Sequence, residues 1–253
     1  MSVHLADLTS SGADALLKGP RPFVVLQPVG SVEPHGPHLP LGTDSIISVA
    51  ASERAATRLD EAGIEARIAP TVPFGVTDFA AGFAGAVSVP ADALVVFLRA
   101  VVEAELRMGA AHVCLVNNHL EPAHDAAVRA AIAGFLPRRA SVACPLTRRW
   151  ARTLSAEFKS GACHAGRYES SIVLAARPEL VDEEARATLE AVPISLSDGI
   201  RQNKHGFLEM GMTRAYAGAP AEATATEGSE QLDLLAAMIV AEVTEALGGR
   251  EVG

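Results

Sequence analysis

The chain contains two short segments in which carboxylates and imidazoles alternate at a spacing that suits metal coordination. In GSVEPHGPHLPLGTDS, Glu33 and His35 are separated by one residue, and Asp44 follows nine residues later. In VNNHLEPAHD, His119 and Glu121 repeat the one-residue separation. Because alternate side chains of an extended segment point to the same side, the members of each pair can contribute to one site. We therefore expect these five residues to bind metal.

The chemistry of this donor set indicates which metals and how many. Two imidazoles and three carboxylates suit Zn²⁺, Mn²⁺ or Fe²⁺ and are too rich in nitrogen for a Ca²⁺ or Mg²⁺ cage. Five ligands exceed the three that one catalytic zinc usually takes from protein, so we expect two divalent metal ions per chain. Taken singly, Asp44 could only cap the helix that follows it, and Glu121 could only favour the positive end of a helix that begins at Pro122.

The elements that must hold these residues read as alternating strands and helices. Buried strands are predicted where short runs rich in Val, Leu or Ile are bounded by turn formers, at 22–30, 66–72, 112–117 and 140–146. Helices are predicted from caps, proline starts and glycine stops, at 45–62, 90–108, 122–135 and 229–247. This alternation predicts an α/β fold, a three-layer α/β/α sandwich with a mostly parallel central sheet. Both segments follow predicted strands, at the sheet edge where such folds bind ligands.

Length and composition limit the class of protein. The chain has 253 residues, 49% apolar and 20% charged, and no linker or repeat, so we expect one globular domain over 1–253. The stretch 147–228 is less regular and is expected to supply loops around the site. A formal charge of −9 argues against a nucleic-acid partner. No signal-peptide pattern, no run of roughly 18 apolar residues and no CxxC spacing predict a cytoplasmic protein without a membrane partner.

At these residues the sequence resembles the creatininase (creatinine amidohydrolase) family. The segment from Gly30 to Asp44 matches the family hallmark GSxExHGxHLPLxTD. The second segment is similar to the asparagine-flanked histidine turn that reads NGHYEN in creatininases proper. A third segment, HAGRYES, contains His164 and Glu169 and is similar to the motif HAGxxET. The resemblance extends over roughly residues 20 to 235, nearly the whole chain.

The resemblance implies a role for each matching residue. The implied ligand sets are Glu33, Asp44 and His119 for one ion, and His35, Asp44 and Glu121 for the other, with Asp44 as the bridge. His164 would be the catalytic proton-transfer residue, and Glu169 a catalytic carboxylate close to the metals; the alternative is that both only brace their loop. His38 lies outside the paired ligands and is expected to orient one of them. The implied assembly is a homohexamer of α/β/α subunits.

The sequence departs from the family pattern on the substrate side of the site. Asn118 replaces a glycine, Leu120 replaces the tyrosine of creatininases proper, and Pro122 replaces an asparagine. Asn118, Leu120, Trp150 and Tyr168 are the candidate substrate-binding residues. Trp150 is the single tryptophan of the chain, whereas creatininases proper enclose a flat ring with several, so it is either a pocket wall or a hydrophobic anchor. The metal ligands are intact, and these departures leave open whether creatinine is the substrate.

Together these features predict a metal-dependent amidohydrolase with a small-molecule substrate. It would hydrolyse a C–N bond other than a peptide bond, in a small or cyclic amide, through a metal-activated water, with Glu121 required for activity. His164 would protonate the leaving nitrogen. Alternatives within the family are a formamide deformylase and a peptide-trimming hydrolase of cofactor biosynthesis, and Arg167 and Arg201 would favour an anionic substrate unless they are simply exposed. A non-catalytic metal-binding scaffold is the alternative from another class.

Overall fold

A computed structural model describes residues 2–248 and has a four-stranded parallel sheet at its centre. The strands are Phe23–Val29 (β1), Glu65–Ile68 (β2), His112–Asn117 (β3) and Ala140–Ala143 (β4). Their order is β2-β1-β3-β4, and the last residue of β1, Val29, is level with Asn117 at the end of β3. The chain segments that leave β1 and β3 therefore emerge side by side at one edge of the sheet.

Eleven α-helices lie within the described residues. They are Ser10–Leu17 (α1), Thr43–Glu61 (α2), Ala91–Met108 (α3), Pro122–Ile132 (α4), Arg148–Ala151 (α5), Ala156–Ser160 (α6), Arg167–Ala176 (α7), Glu183–Ala187 (α8), Leu196–Arg201 (α9), Phe207–Met210 (α10) and Ala225–Ala246 (α11). Single 3-10 turns occur at Leu5–Asp7, Asp78–Ala80, Pro178–Leu180 and Pro220–Glu222. Within 2–248, none of these helices combines the length and the apolar character that a bilayer span requires.

Helices cover both faces of the sheet, which confirms the three-layer α/β/α sandwich. On β1, Val24 and Leu26 point into a core formed with α2, α7 and α11, whereas Val25 and Val29 point into a second core formed with α3 and α4. All seven residues of β1 and all six of β3 are buried, because a sheet covered on both faces has no solvent-facing side.

The predicted elements are present with shifted ends. The strand expected over 66–72 is Glu65–Ile68, and the one expected over 140–146 ends at Ala143. The last helix begins at Ala225 rather than at Ser229, because the Thr224 hydroxyl caps it by accepting from the Glu227 N–H. The stretch 147–228, expected as loops, contains α5 to α10.

Two helices on the same face of the sheet cross in very close contact. A Cβ placed on Gly228 of α11 would lie 1.7 Å from the backbone oxygen of Ser171 in α7. Only a residue without a side chain permits this approach. This contact sets the distance between α11 and α7, the helix whose first turn contains the end of the HAGRYES segment.

Candidate metal centre

The predicted ligands converge at the carboxyl edge of β1 and β3. Glu33 and His35 lie in the turn after β1, Asp44 in the first turn of α2, and His119 and Glu121 directly after β3. All five are buried, with at most 6% of their surface exposed. The turn before α7 brings a sixth group, the side chain of His164, and the first turn of α7 brings a seventh, the side chain of Glu169.

Ligand atoms of these seven residues fall into three overlapping groups, in each of which every atom lies within 4.8 Å of the others. The groups are Glu33, His119 and Glu121; His35, Asp44 and Glu169; and Glu33, His35 and His164. The family resemblance implies Glu121 beside His35 and Asp44. The structure instead groups Glu121 with Glu33 and His119, and the carboxylate beside His35 and Asp44 is that of Glu169.

Asp44 faces both histidines through different oxygens. Its Oδ2 lies 3.1 Å from Nδ1 of His119, and its Oδ1 lies 3.4 Å from Nε2 of His35. Glu33 Oε1 is also 3.1 Å from His119 Nδ1, and Glu169 Oε2 is 3.6 Å from His35 Nε2. Asp44 makes no capping hydrogen bond to α2, so its carboxylate is directed at the cluster and does not serve the helix end.

Backbone carbonyls fix which nitrogen of each imidazole faces the carboxylates. The His119 Nε2–H donates to the Val76 carbonyl at 2.7 Å, so Nδ1 is the nitrogen that points at the acids and that would bind a metal ion. The His35 Nδ1–H donates to the Glu33 carbonyl at 3.1 Å, which leaves Nε2 as the nitrogen that faces the carboxylates. That Nε2 is buried without a hydrogen-bond partner, although a buried polar atom rarely lacks one.

The carboxylates are oriented by groups that the sequence did not point to. The Thr77 hydroxyl donates to Glu33 Oε2, and the Ser31 hydroxyl donates to Asp44 Oδ2 at 2.6 Å. The backbone N–H groups of Asp78 and Phe79 each donate to Glu121 at 3.1 Å. Thr77, Asp78 and Phe79 belong to the loop between β2 and α3, which has no regular spacing that could have revealed them.

The electrostatics of the cluster favour bound cations. Burial raises the pKa of Glu33, but His119 and His164 outweigh it and lower the pKa to about 2. Burial lowers the pKa of His35, but Asp44 and Glu169 outweigh it and raise the pKa to about 10. Burial also raises the pKa of Glu169 to about 8. Carboxylates packed this densely away from water need positive charge beside them, from protons or from metal ions.

The residues present fit a pair of divalent ions. Four buried carboxylates and two inward-facing imidazole nitrogens form a mixed N/O set, typical of Zn²⁺, Mn²⁺ and Fe²⁺. The second nitrogen of each imidazole is held by a carbonyl, as in known metal sites. The His35 Nε2 atom is buried without a hydrogen-bond partner, and a bound metal ion would supply one.

His164 lies over the cluster with its ring held from both sides. The ring centroids of Phe207 and His35 are 4.3 Å and 4.4 Å away. The His164 Nε2–H donates to the Pro34 carbonyl at 3.0 Å, so the lone pair on Nδ1 faces Glu33 Oε1 at 3.9 Å. Burial, helped by His35, lowers the pKa of His164 to about 4. The imidazole is therefore a neutral proton acceptor directed at the floor of the site.

Above the cluster lies a cavity of about 300 Å³. Its floor is made by the acids and by His119 and His164. Its walls are largely apolar and are lined by Phe79, Leu120, Phe158, Leu196, Ile200 and Phe207. The outer edge carries the basic side chains of Arg148, Arg152 and Lys159. A cavity of this volume accommodates one small ligand or a short piece of a larger one.

Of the four candidate substrate-binding residues, one lines the cavity and three lie elsewhere. Leu120 lines the cavity as expected. Trp150 does not, because its indole N–H donates to Glu242 of α11 at 2.8 Å, which corresponds to the hydrophobic-anchor alternative. Tyr168 is buried in the core, with its ring centroid 5.0 Å from that of Phe158. Asn118 also lies outside the cavity wall, where its side-chain amide donates to the Ser48 hydroxyl at 3.1 Å.

The remaining predicted residues also have clear positions. His38 Nε2 lies 2.7 Å from the hydroxyl of Ser170, the neighbour of Glu169, so His38 braces α7 directly beside a candidate ligand. Glu169 accepts from the Ala165 N–H at 2.6 Å. Arg167 pairs with Glu222 and Glu227, and Arg201 pairs with Asp198; neither arginine lines the cavity.

Comparison with known proteins gives consistent matches over most of the chain. A family model described as "Creatininase: Creatinine amidohydrolase" matches residues 6–243. Proteins named mycofactocin precursor peptide peptidase are similar in sequence. The one from Mycolicibacterium smegmatis is 31% identical over 215 residues, covering 81% of this chain and 78% of that protein. The one from Mycobacterium tuberculosis is 30% identical over 244 residues, covering 90% and 86%.

Solved structures match the fold at lower sequence identity. A structure titled "Creatininase Mn" is 20% identical, with a TM-score of 0.74 and coverage of 98% of this chain and 99% of that one. A structure titled as a putative creatinine amidohydrolase from Bacteroides fragilis is 19% identical, with a TM-score of 0.71 and complete coverage, 100%, of both chains.

Proposed function

Because the chain belongs to the creatininase family, we propose that it is a metal-dependent amidohydrolase that cleaves a C–N bond with water. One observation carries the proposal: two buried imidazoles each turn one ring nitrogen toward four carboxylates at the floor of an apolar cavity. Glu33, His119 and Glu121 would hold one divalent ion, and His35, Asp44 and Glu169 the other, with Asp44 facing both. When bound, such ions supply Lewis acidity, which lowers the pKa of water and polarises a carbonyl.

The protein's own residues supply the proton transfer. Hydrolysis of an amide adds the elements of water, with hydroxyl going to the carbonyl carbon and a proton to the leaving nitrogen. Neutral His164 accepts the proton of the attacking water at Nδ1 and returns it to the nitrogen as the C–N bond breaks. The Pro34 carbonyl holds Nε2–H throughout, so the ring cannot turn its protonated nitrogen toward the site.

A peptide amide is the better supported substrate class. The relatives named as peptidases are about 30% identical, whereas the structures titled creatininase are 20% identical. Within 2–248 no tryptophan lines the cavity, so the wall is unlike one built to enclose a flat ring. The second candidate is a small or cyclic amide, which the enclosed volume of about 300 Å³ also accommodates.

The proposal is tested by metal content and by an amide panel. We expect about two Zn²⁺ or Mn²⁺ ions per chain after reconstitution, by elemental analysis. We expect hydrolysis of at least one member of a panel of peptides, lactams and formamides. His164→Asn should lower kcat by about a hundredfold or more with metal content unchanged. His205→Asn, which alters an exposed histidine, is the matched control and should leave kcat unchanged.

Two results would contradict the proposal in different ways. Fewer than one ion per chain would exclude the binuclear site. Two ions per chain without turnover on the whole panel would favour the non-catalytic scaffold. Asp44→Asn separates these further, because loss of the carboxylate that faces both histidines should release both ions and leave the fold intact.

A further inference from the structure

Charge is segregated by depth in the cavity. The four acidic side chains of the lining are all buried in the floor. The three basic ones are all exposed and lie at the outer edge: Arg148 in α5, Arg152 just after it, and Lys159 in α6. We call these three residues the basic rim. They come from one stretch of twelve residues, so a single chain segment places positive charge along one side of the entrance.

The basic rim lacks counterions. For the residues between 2 and 248, the structure gives no ion pair or side-chain hydrogen bond to Arg148, Arg152 or Lys159. Neighbouring arginines differ in this respect: Arg149 pairs with Glu245 at 2.5 Å, and Arg201 pairs with Asp198. Like charges that face one cavity repel each other, and no acid among residues 2–248 forms an ion pair that would compensate them. The guanidinium forks therefore remain available to a ligand.

The rim also contrasts with the charge of the whole molecule. The formal charge of the chain is −9, so a cluster of unpaired cations at the entrance is a local exception. Four floor carboxylates carry about the charge that two divalent ions neutralise, which leaves the rim as the dominant field in the loaded cavity. A cleft with low-dielectric walls focuses the electric field of the charges at its entrance, so the positive potential of the basic rim would attract an incoming anion.

We propose that the basic rim recognises a carboxylate on the substrate, at the end that projects from the cavity. This inference rests on the proposed amidohydrolase function and narrows its substrate class to amides that bear an anionic group beyond the scissile bond. The free C-terminus of a peptide has this chemistry. Its last side chain would lie against the apolar walls, while arginine forks bind the carboxylate in a bidentate manner and Lys159 adds a point charge.

The test compares matched peptides that differ by one charge. The probes are a set of N-acetylated tripeptides with apolar side chains, each made with a free C-terminal carboxylate and as its C-terminal carboxamide. For the metal-loaded wild type we expect kcat/KM to be at least about tenfold higher for the free acids, mainly through KM. Arg148→Ala, Arg152→Ala and Lys159→Ala should each reduce this acid-to-amide ratio by about two- to fivefold, the range of partly exposed ion pairs. The triple variant should bring it close to one.

Arg201→Ala is the matched control, because Arg201 lies near the entrance in α9 but is paired and does not line the cavity. The acid-to-amide ratio should not change in this variant. A ratio that falls as far in Arg201→Ala as in Arg152→Ala would show a general surface field and overturn the inference. A ratio of one in the wild type would overturn it as well.

A binding measurement keeps the rim testable if no peptide is hydrolysed. Dissociation constants for N-acetyl-leucyl-alanine and its carboxamide are measured calorimetrically on the same metal-loaded proteins. A carboxylate preference that the triple variant loses supports the rim even where the amidohydrolase proposal has failed. A preference that survives in the triple variant assigns the carboxylate to the metal centre and refutes the rim, whatever the activity.

Discussion

Gly228→Ala should destabilise the protein although alanine is the better helix former. The new Cβ would lie 1.7 Å from the Ser171 oxygen, and ordinary contact begins near 3.4 Å, so α7 and α11 would have to separate by about 1.7 Å. The obstacle is backbone, which cannot turn aside as a side chain would. Overpacking of a core costs about 1–3 kcal/mol and occasionally more, and alanine returns only about 1 kcal/mol of helix propensity. We expect a net loss of up to about 2 kcal/mol in the free energy of unfolding.

The same substitution should reach the metal centre. Glu169 precedes Ser171 by two residues in α7, and its carboxylate lies 3.6 Å from His35 Nε2. A shift of the helix by more than an ångström separates that carboxylate from the other ligands, so metal affinity should fall by about tenfold or more. Urea denaturation and competition with a chelator measure the two effects separately.

Gly12→Ala is the matched control for this experiment. Gly12 is also inside a helix, α1, but its added Cβ would meet nothing closer than 3.4 Å, so alanine should stabilise the protein by up to about 1 kcal/mol. If Gly228→Ala is as stable as the wild type and binds metal equally well, α7 is not held by this crossing and the reasoning is refuted.

Three further predictions concern the site and the second core. Thr77→Val removes the hydroxyl that donates to Glu33 while keeping the shape of the side chain, so chelator competition should show about tenfold weaker metal binding. The free energy of unfolding should stay within about 1 kcal/mol of the wild-type value. Unchanged metal affinity would exclude Thr77 as a support for Glu33. Adding Zn²⁺ or Mn²⁺ to chelator-stripped protein should raise Tm, and Asp44→Asn should abolish the rise, because only the folded state gathers these carboxylates. Burial raises the pKa of Glu105 from 4.5 to about 8, so stability should fall as pH rises from about 4.5 to about 8, where the unfolded chain ionises first. Glu105→Gln should therefore raise the free energy of unfolding by about 1–3 kcal/mol at pH 8 and by little at pH 5. An equal effect at both pH values would contradict the raised pKa of Glu105.

The fold was predictable wherever sequence patterns are long. β1 and β3 are largely apolar runs, and α3 and α11 have apolar residues at helical spacing, so the sequence predicts all four elements. The helices between 147 and 228 were not, because four to six residues are too few to show a period. Even α7, with ten residues, begins with the polar residues of the site and buries two serines, which hides its apolar stripe.

The metal centre was predictable because parallel strands end at one edge. Glu33, His35 and His119 follow β1 and β3, which are neighbours in the sheet, so sequence position alone brings them close. Which ligands would share an ion was not predictable, since it depends on where the first turn of α7 places Glu169. Neither was Thr77, whose loop joins β2 to α3 and approaches Glu33 only in the folded molecule.

The assignment of pocket residues from type alone had mixed results. Trp150 was a reasonable candidate as the single tryptophan, but its indole N–H has a carboxylate partner on α11, and burial against that helix satisfies both ends of the ring. Phe207 lines the cavity and packs on His164, although nothing in its sequence surroundings marks it.

Floor and entrance of the cavity come from different parts of the chain, and this separates two kinds of evolutionary change. The floor is anchored to strand ends and to α2, where a shift of one residue would disturb several ligands together. The entrance is carried by α5, α6 and α9, short helices whose exposed residues have few structural duties. Under the proposed function, substitutions there would alter which amide enters without altering how it is cleaved. A protein built on this plan could exchange substrates while its reaction stays the same.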